Sequence, residues 1–275
     1  MRFPMKPRIN GSASSDPARM TQIFADLGPF ALILAALIAT FAGFVKGAVG
    51  FALPMVMISG LGSFLAPEIA LAALILPAVT TNLIQALRNG IPAALASVWR
   101  FRIYVAALLV FLAFSAQLVL VLPSWALFLI LGVPVTLFAT AQLLGWRMRI
   151  RRGYERITEI AIGATAGFIG GISGVWGPQT VAYLTALETP KVEQMRIQGV
   201  VYGSGAVMLL AAHLQSGVLS ATTVPLSLAM LLPAVVGIYI GFLVQDRLDQ
   251  EKFRRATLLV LIIAGLNLVR RGVFG

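Results

Sequence analysis

Between Leu27 and Pro67 the only charged side chain is Lys46, set in an otherwise apolar run. A charge in such a run is expensive to keep out of water, and function is the default reason for finding one. Lysine is a cation that donates hydrogen bonds and accepts none, so the chemistry it offers is the binding of an anion. The competing reading is a lysine at the far end of a tilted helix, with its ammonium reaching the interface. The acidic residues argue by absence. All ten (Asp16, Asp26, Glu68, Glu155, Glu159, Glu188, Glu193, Asp246, Asp249, Glu251) fall in tails, loops or helix ends. No carboxylate sits mid-run to relay protons or hold a metal cation, which disfavours a cation pump and favours anion selectivity. Catalysis finds no foothold. The chain has no cysteine and one histidine, no metal-ligand cluster, no phosphate-binding glycine–lysine loop and no serine–histidine pair with a third group to orient it. The expectation is a binding protein, not an enzyme, that needs no cofactor or metal. His213, alone near a helix end, reads as structural.

Lys46 belongs to a block that occurs twice. Ala42-Gly43-Phe44-Val45-Lys46-Gly47-Ala48-Val49-Gly50-Phe51-Ala52-Leu53-Pro54 aligns without gaps on Ala166-Gly167-Phe168-Ile169-Gly170-Gly171-Ile172-Ser173-Gly174-Val175-Trp176-Gly177-Pro178, a constant 124 residues on. Glycines 43, 47 and 50 meet 167, 171 and 174, and Pro54 meets Pro178. After each copy come a short apolar stretch, a proline (Pro67, Pro190), a long helix, two more helices and a basic end (Arg147–Arg152; Arg270-Arg271). An internal repeat on this scale predicts two halves of one design. Gly costs about 1 kcal/mol and Pro about 3 kcal/mol relative to Ala inside a helix, so each block predicts a broken helix. Irregular backbone at membrane depth is tolerated only where it is buried in protein or lines a wet cavity. Matched breaks in two halves are the best sequence pointer to a transporter's binding site. The spacings Gly43–Gly47, Gly167–Gly171 and Gly170–Gly174 equally suit close helix packing, and both readings can hold at once.

The elements that must position these breaks are membrane helices. The chain is 59% hydrophobic and 11% charged, with mean hydropathy +0.92, against roughly 45–50% apolar and about 25% charged in soluble domains. Its apolar runs are unbroken rather than alternating, which excludes a transmembrane β-barrel. Residues 1–27 read as a polar, basic cytoplasmic tail without a cleavable signal, so the first span would itself direct insertion. Residues 28–150 and 151–275 are the two repeats. Apolar segments fall at 28–46, 51–65, 67–88, 103–122 and 124–146, then 157–173, 177–187, 190–214, 224–245 and 254–271. The second of each set spans only ~16–23 Å at 1.5 Å per residue, short of the ~30 Å of hydrocarbon. Each broken pair therefore counts as one unit, giving an all-α membrane protein of two tandem four-crossing repeats, each beginning with a Gly/Pro-broken helix. With the N-terminus inside, 14 Lys and Arg face inward and 6 outward, as the positive-inside bias requires. Ten crossings with the N-terminus outside yield the same count, so length decides and charge does not.

The net charge of +11 belongs to loops beside these spans, where it meets anionic headgroups rather than nucleic acid. The third segment of each half carries matched polar or small residues: Thr80, Thr81, Asn82 and Gln85 in one, Tyr202, Gly203, Ser204 and Gly205 in the other. They suit a pathway lining or interhelical hydrogen bonds. Trp176 suits a ligand contact or an interfacial anchor. Arg88 and Arg196 stand near helix mouths. The candidate anion site is Lys46, Gly47, Gly50 and Pro54 at the first break, Gly171, Ser173, Gly174, Trp176, Pro178 and Gln179 at the second, and Thr81, Asn82, Tyr202 and Ser204 on the third helices. Gly170 is the repeat partner of Lys46, so such a site is asymmetric.

On the duplicated glycine block followed by proline, and on the helix order after each copy, residues 28–272 resemble the sulfite exporter TauE/SafE family of bacterial membrane permeases. Members usually carry a denser Gly-x-Gly-Gly-Gly run before the proline. Here the positions read Gly50-Phe51-Ala52-Leu53-Pro54 and Gly174-Val175-Trp176-Gly177-Pro178, so the resemblance carries the fold further than the substrate. It implies export or uptake of sulfite, a sulfonate or a related small organic anion across the inner membrane, coupled to an ion gradient such as that of protons. The expected mechanism is alternating access by rocking of the halves. Expected partners are the anion, the coupling ion and the lipid bilayer, with a homo-oligomer left open. A passive anion channel and a non-transporting scaffold subunit are the rival readings.

Overall fold

The computed structural model describes residues 17–87, 90–146, 150, 153–189, 191–244 and 249–274. Arg88, Pro190, the tail to residue 16 and most of the basic run Arg147–Arg152 lie outside them. Eleven helices follow in order: α1 (Pro17–Val49), α2 (Leu53–Leu61), α3 (Pro67–Leu87), α4 (Ile91–Arg100), α5 (Arg102–Ala116), α6 (Ser124–Leu143), α7 (Glu155–Ser173), α8 (Gly177–Ala186), α9 (Lys191–Ser216), α10 (Val224–Val244) and α11 (Gln250–Phe274). No strand occurs among the described residues.

Among the described residues, five stretches are long and apolar enough to cross a bilayer: Leu27–Ala48, Pro67–Leu87, Ser124–Leu143, Arg196–Ser216 and Val224–Val244. The bent pair α4 and α5 would make a sixth. Their outer faces carry large apolar side chains in the open, such as Phe30, Ile33 and Leu37 on α1 and Leu228, Leu232 and Leu243 on α10. Stripes of that kind require lipid, not water, as solvent. The chain is a multi-pass membrane protein.

Two differences from the sequence reading concern its ends and loops. Residues 17–27, expected in the tail, are helical up to a break at Gly28 (φ 71°), and Pro29 opens the next stretch. The basic connection between the third and fourth apolar segments carried no predicted element, yet ten of its residues form α4. Gly90 at φ 83° turns the chain and Pro92 opens the helix, the position where a missing N–H costs nothing. At ten residues α4 is too short to stand out as an apolar run.

Packing interlocks the two halves of the sequence. α1 lies along α10, and α7 along α5. α3 pairs with α9 and α6 with α11, while α3 also touches α10 and α5 touches α9. Glycines make the first two crossings close. A Cβ on Gly43 would strike the Ala234 carbonyl, and one on Gly237 the Thr40 carbonyl. Gly167 and Gly171 meet the Leu108 and Leu112 carbonyls of α5 in the same way. The Gly-x-x-x-Gly spacing is therefore a packing device along most of each block. Gly43→Ala is expected to destabilise the fold by about 1–3 kcal/mol through overpacking. Gly177→Ala, whose Cβ would find its nearest atom at 3.4 Å, is expected to melt like the native protein. Thermal unfolding followed by tryptophan fluorescence in detergent checks both.

Candidate functional site

The third of the matched glycines in each block, Gly50 and Gly174, ends a helix rather than packing one. α1 stops where Gly50 takes φ 86°, and α7 where Gly174 takes φ 70°, a region glycine enters without steric cost. The closing hydrogen bonds match: Gly50 N to Lys46 O and Gly174 N to Gly170 O, each 2.7 Å. Two or three residues later α2 and α8 begin, with Pro54 and Pro178 in their first turns and no side-chain cap on either. At 9 and 10 residues and 1.5 Å per residue, each covers only about half of the hydrocarbon depth. Ala52, just before α2, holds φ 80°, which strains a residue with a Cβ by roughly 1–2 kcal/mol.

The carbonyls released at the breaks are tied off from afar. Gln85 Nε2 donates to Gly50 O at 3.0 Å. His213, fully buried on α9, places Nε2 2.9 Å from Gly171 O and Nδ1 3.1 Å from Ser216 Oγ. Donation from Nε2 to the carbonyl fixes the tautomer, and Nδ1 then accepts from the serine. Ser173 Oγ donates to Ile169 O at 2.6 Å and accepts from Val175 N at 3.0 Å.

Both breaks open on one small cavity of ≈ 20 Å³, room for about one water. Lys46, Phe51, Ala52, Pro54 and Met55 line it from the first break, and Gly174, Val175, Trp176 and Gly177 from the second. Asn82 of α3 and Tyr202 of α9 close it. Lys46 is 2% exposed. Its Nζ donates to Asn82 Oδ1 and stands 5.9 Å from the centre of the Tyr202 ring. Among the described residues no carboxylate pairs with it. Tyr202 Oη in turn donates to Gly177 O at 3.2 Å. The buried lysine thus meets an amide oxygen and an aromatic face, with the N-termini of two half-helices alongside.

Residues 35–268 match the family model described as sulfite exporter TauE/SafE. The chain belongs to that family. No curated protein and no solved structure matches it. As a TauE/SafE protein it is a membrane permease, and the fourteen residues singled out from its sequence can be placed on that frame. Lys46, Pro54, Asn82, Gly174, Trp176 and Tyr202 come together around the cavity. Gly47 lies in the α1–α10 crossing and Gly171 in the α5–α7 crossing. Gly50 shapes the first break, Ser173 caps the second, and Thr81 donates to its own helix at Pro77 O, 2.7 Å. Pro178 and Gln179 sit in the first turn of α8, off the cavity wall. Ser204 faces a separate groove.

Trp176 is buried, wedged between Gly170 of α7 and Gly205 of α9, and so is no interfacial anchor. Phe51, Ala52, Met55, Val175 and Gly177 line the TauE/SafE cavity without having been singled out. Their nearness to the two breaks was the one available signal. Removing the His213 side chain leaves the Gly171 carbonyl buried without a partner, at a cost of about 1–3 kcal/mol. His213→Ala should lower the melting temperature, and His213→Gln should recover part of the loss.

Proposed function

We propose that this permease is a secondary transporter that carries a small anion, of the size and charge of sulfite or a short sulfonate, across the bacterial inner membrane. Buried Lys46 carries the reading, because it lacks a carboxylate and lines the cavity where two half-helices begin. An oxyanion there would supply the missing counter-charge and accept from the ammonium, from the Asn82 amide N–H and from the free N–H groups of the first turns. The ≈ 20 Å³ cavity is too narrow to admit it without outward movement of α2 or α8. In alternating access, that movement opens one side at a time.

The eight-crossing, two-repeat architecture belongs to the same proposal. In its support, α1 packs on the fourth apolar segment of the second half (α10), and α7 on that of the first (α5). The moving bodies then mix the halves. One holds α1, α2, α3 and α10, the other α7, α8, α9 and α5, with α3 against α9 as the sliding face. This refines rocking of the sequence halves, which would tear both glycine crossings.

Radiolabelled sulfite flux in proteoliposomes, with and without a proton gradient, tests the reading. Gradient-driven accumulation is expected, reduced at least about thirty-fold in Lys46→Gln, in line with 2 kcal/mol or more for truncating one partner of a buried charge pair. Asn82→Asp gives Lys46 a permanent counter-ion and should also abolish anion flux, in protein that still folds. Flux indifferent to any gradient would mean a passive channel. No flux of sulfite, sulfonates or short carboxylates would move the chain to a scaffold role.

A further inference from the structure

A second space lies on the flank of the molecule, away from the lysine. It is a lateral groove of ≈ 490 Å³ between α3, α4, α5 and α9, more than twenty times the anion cavity. Leu83 and Ala86, Val98, Leu109, and Gly203 and Val207 line it. Ser204 supplies its one hydroxyl, which donates back to Val200 O at 3.0 Å. Nothing in this wall would recognise a polar solute, whereas a stretch of acyl chain suits it.

The roof of the groove says what kind of molecule brings that chain. α4 meets α5 at an 83° bend. Where α5 crosses by itself, as the fourth apolar segment of the eight-crossing reading rather than as one span with α4, α4 lies along the bilayer surface. Ile91, Leu95 and Trp99, one turn apart, are all exposed on its outer side, while Ala94 and Val98 face the groove. A short helix with an open apolar stripe and a tryptophan is built for the headgroup boundary. At its end Arg102 is exposed, donates to Trp99 O at 3.1 Å and holds its guanidinium 5.0 Å from the Trp99 ring centre. Arg100 beside it pairs with Glu193, but Arg102 has no carboxylate partner among the described residues. From residue 69 to residue 154 the sequence contains no Asp or Glu at all. The carboxylates the structure brings to this corner are already engaged: Glu193 pairs with Arg100 and Arg196, and Glu159 accepts from Tyr104 N at 3.2 Å.

We infer that the groove holds an acyl chain of one anionic phospholipid whose headgroup rests on Arg102, with α4 lying in the interface above it. The inference rests on the membrane assignment and on α5 crossing by itself in the proposed eight-crossing architecture, and not on the anion reading. Gly203 and Ala86, in the groove wall, adjoin Tyr202 and neighbour Asn82 on the same helices. Lipid occupancy therefore bears on the spacing of α3 and α9 at the anion site.

Native mass spectrometry of the full chain, released from mild detergent after incubation with equal amounts of phosphatidylglycerol and phosphatidylcholine of the same chain length, tests it. The expected result is one retained phosphatidylglycerol per chain, favoured about five-fold as one arginine at a membrane surface provides. Arg102→Gln should bring the two lipids to parity. Val98→Trp and Val207→Trp, which fill the groove from different helices, should each remove the adduct, in protein whose melting curve stays cooperative. Equal retention of both lipids by the native chain would overturn the inference, as would an adduct that survives both tryptophan variants. A lipid-free dimer in place of the adduct would assign the face to a second copy and overturn it too.

Discussion

Two helices stop inside an apolar body, and each stop releases backbone groups into a medium that cannot solvate them. Much of the rest of the molecule answers that constraint. Carbonyls at the breaks and at the far end of α2 are met by side chains from distant helices: Gln85 on Gly50 O, His213 on Gly171 O, and Arg271 on the carbonyls of Gly62 and Leu65. The N–H side is treated differently. Neither α2 nor α8 has a side-chain cap; Pro54 and Pro178 remove one donor from each first turn, and Val56 N and Thr180 N bond back to Ala52 O and Trp176 O. On the proposed reading, the N–H groups that stay unpaired at the breaks are what an anion would meet.

The interlocked packing follows from the same need. A half-helix of 9 or 10 residues cannot anchor itself across a bilayer, so the long helix before each break must be held by something rigid. Glycines at 43, 47, 237 and 241 let α1 and α10 approach backbone to backbone, and glycines at 163, 167 and 171 do so for α7 and α5. Each break is thereby fastened to the opposite half of the sequence. α3 and α9, which carry Asn82 and Tyr202, also meet closely: a Cβ on Gly199 would come within 2.9 Å of the Ala86 backbone.

What could be read from the sequence was what Gly and Pro announce locally. The breaks at Gly50 and Gly174, the prolines that open α2 and α8 and the shortness of both half-helices are all there. The double reading of the glycine blocks proved to be divided by position: Gly43, Gly47, Gly167 and Gly171 pack, while Gly50 and Gly174 take positive φ. No pattern distinguishes these in advance, because glycine's lack of a Cβ serves both uses. Lining by Phe51, Met55 and Val175 was illegible, since apolar residues in an apolar chain carry no signal. His213 was read as structural, but the carbonyl it serves lies 42 residues away and no local rule points there. α4 left no signal because its ten residues are too few to read as an apolar span.

The departures from symmetry are as informative as the symmetry. Lys46 in the first block corresponds to Gly170 in the second, and Ala52 to Trp176. The large side chain has changed places within the pair. Trp176 packs against the bare backbone of Gly170, where a Cβ would come within 2.8 Å of the indole, so a lysine cannot occupy both blocks while the tryptophan stays. Two lysines meeting over one small cavity would also repel each other in a low-dielectric setting, and would hold a singly charged guest against its release. On the proposed reading, one cation, one indole and two helix N-termini would bind an anion more weakly than a fully duplicated site. That weaker grip is what a carrier releasing its cargo on every cycle would need.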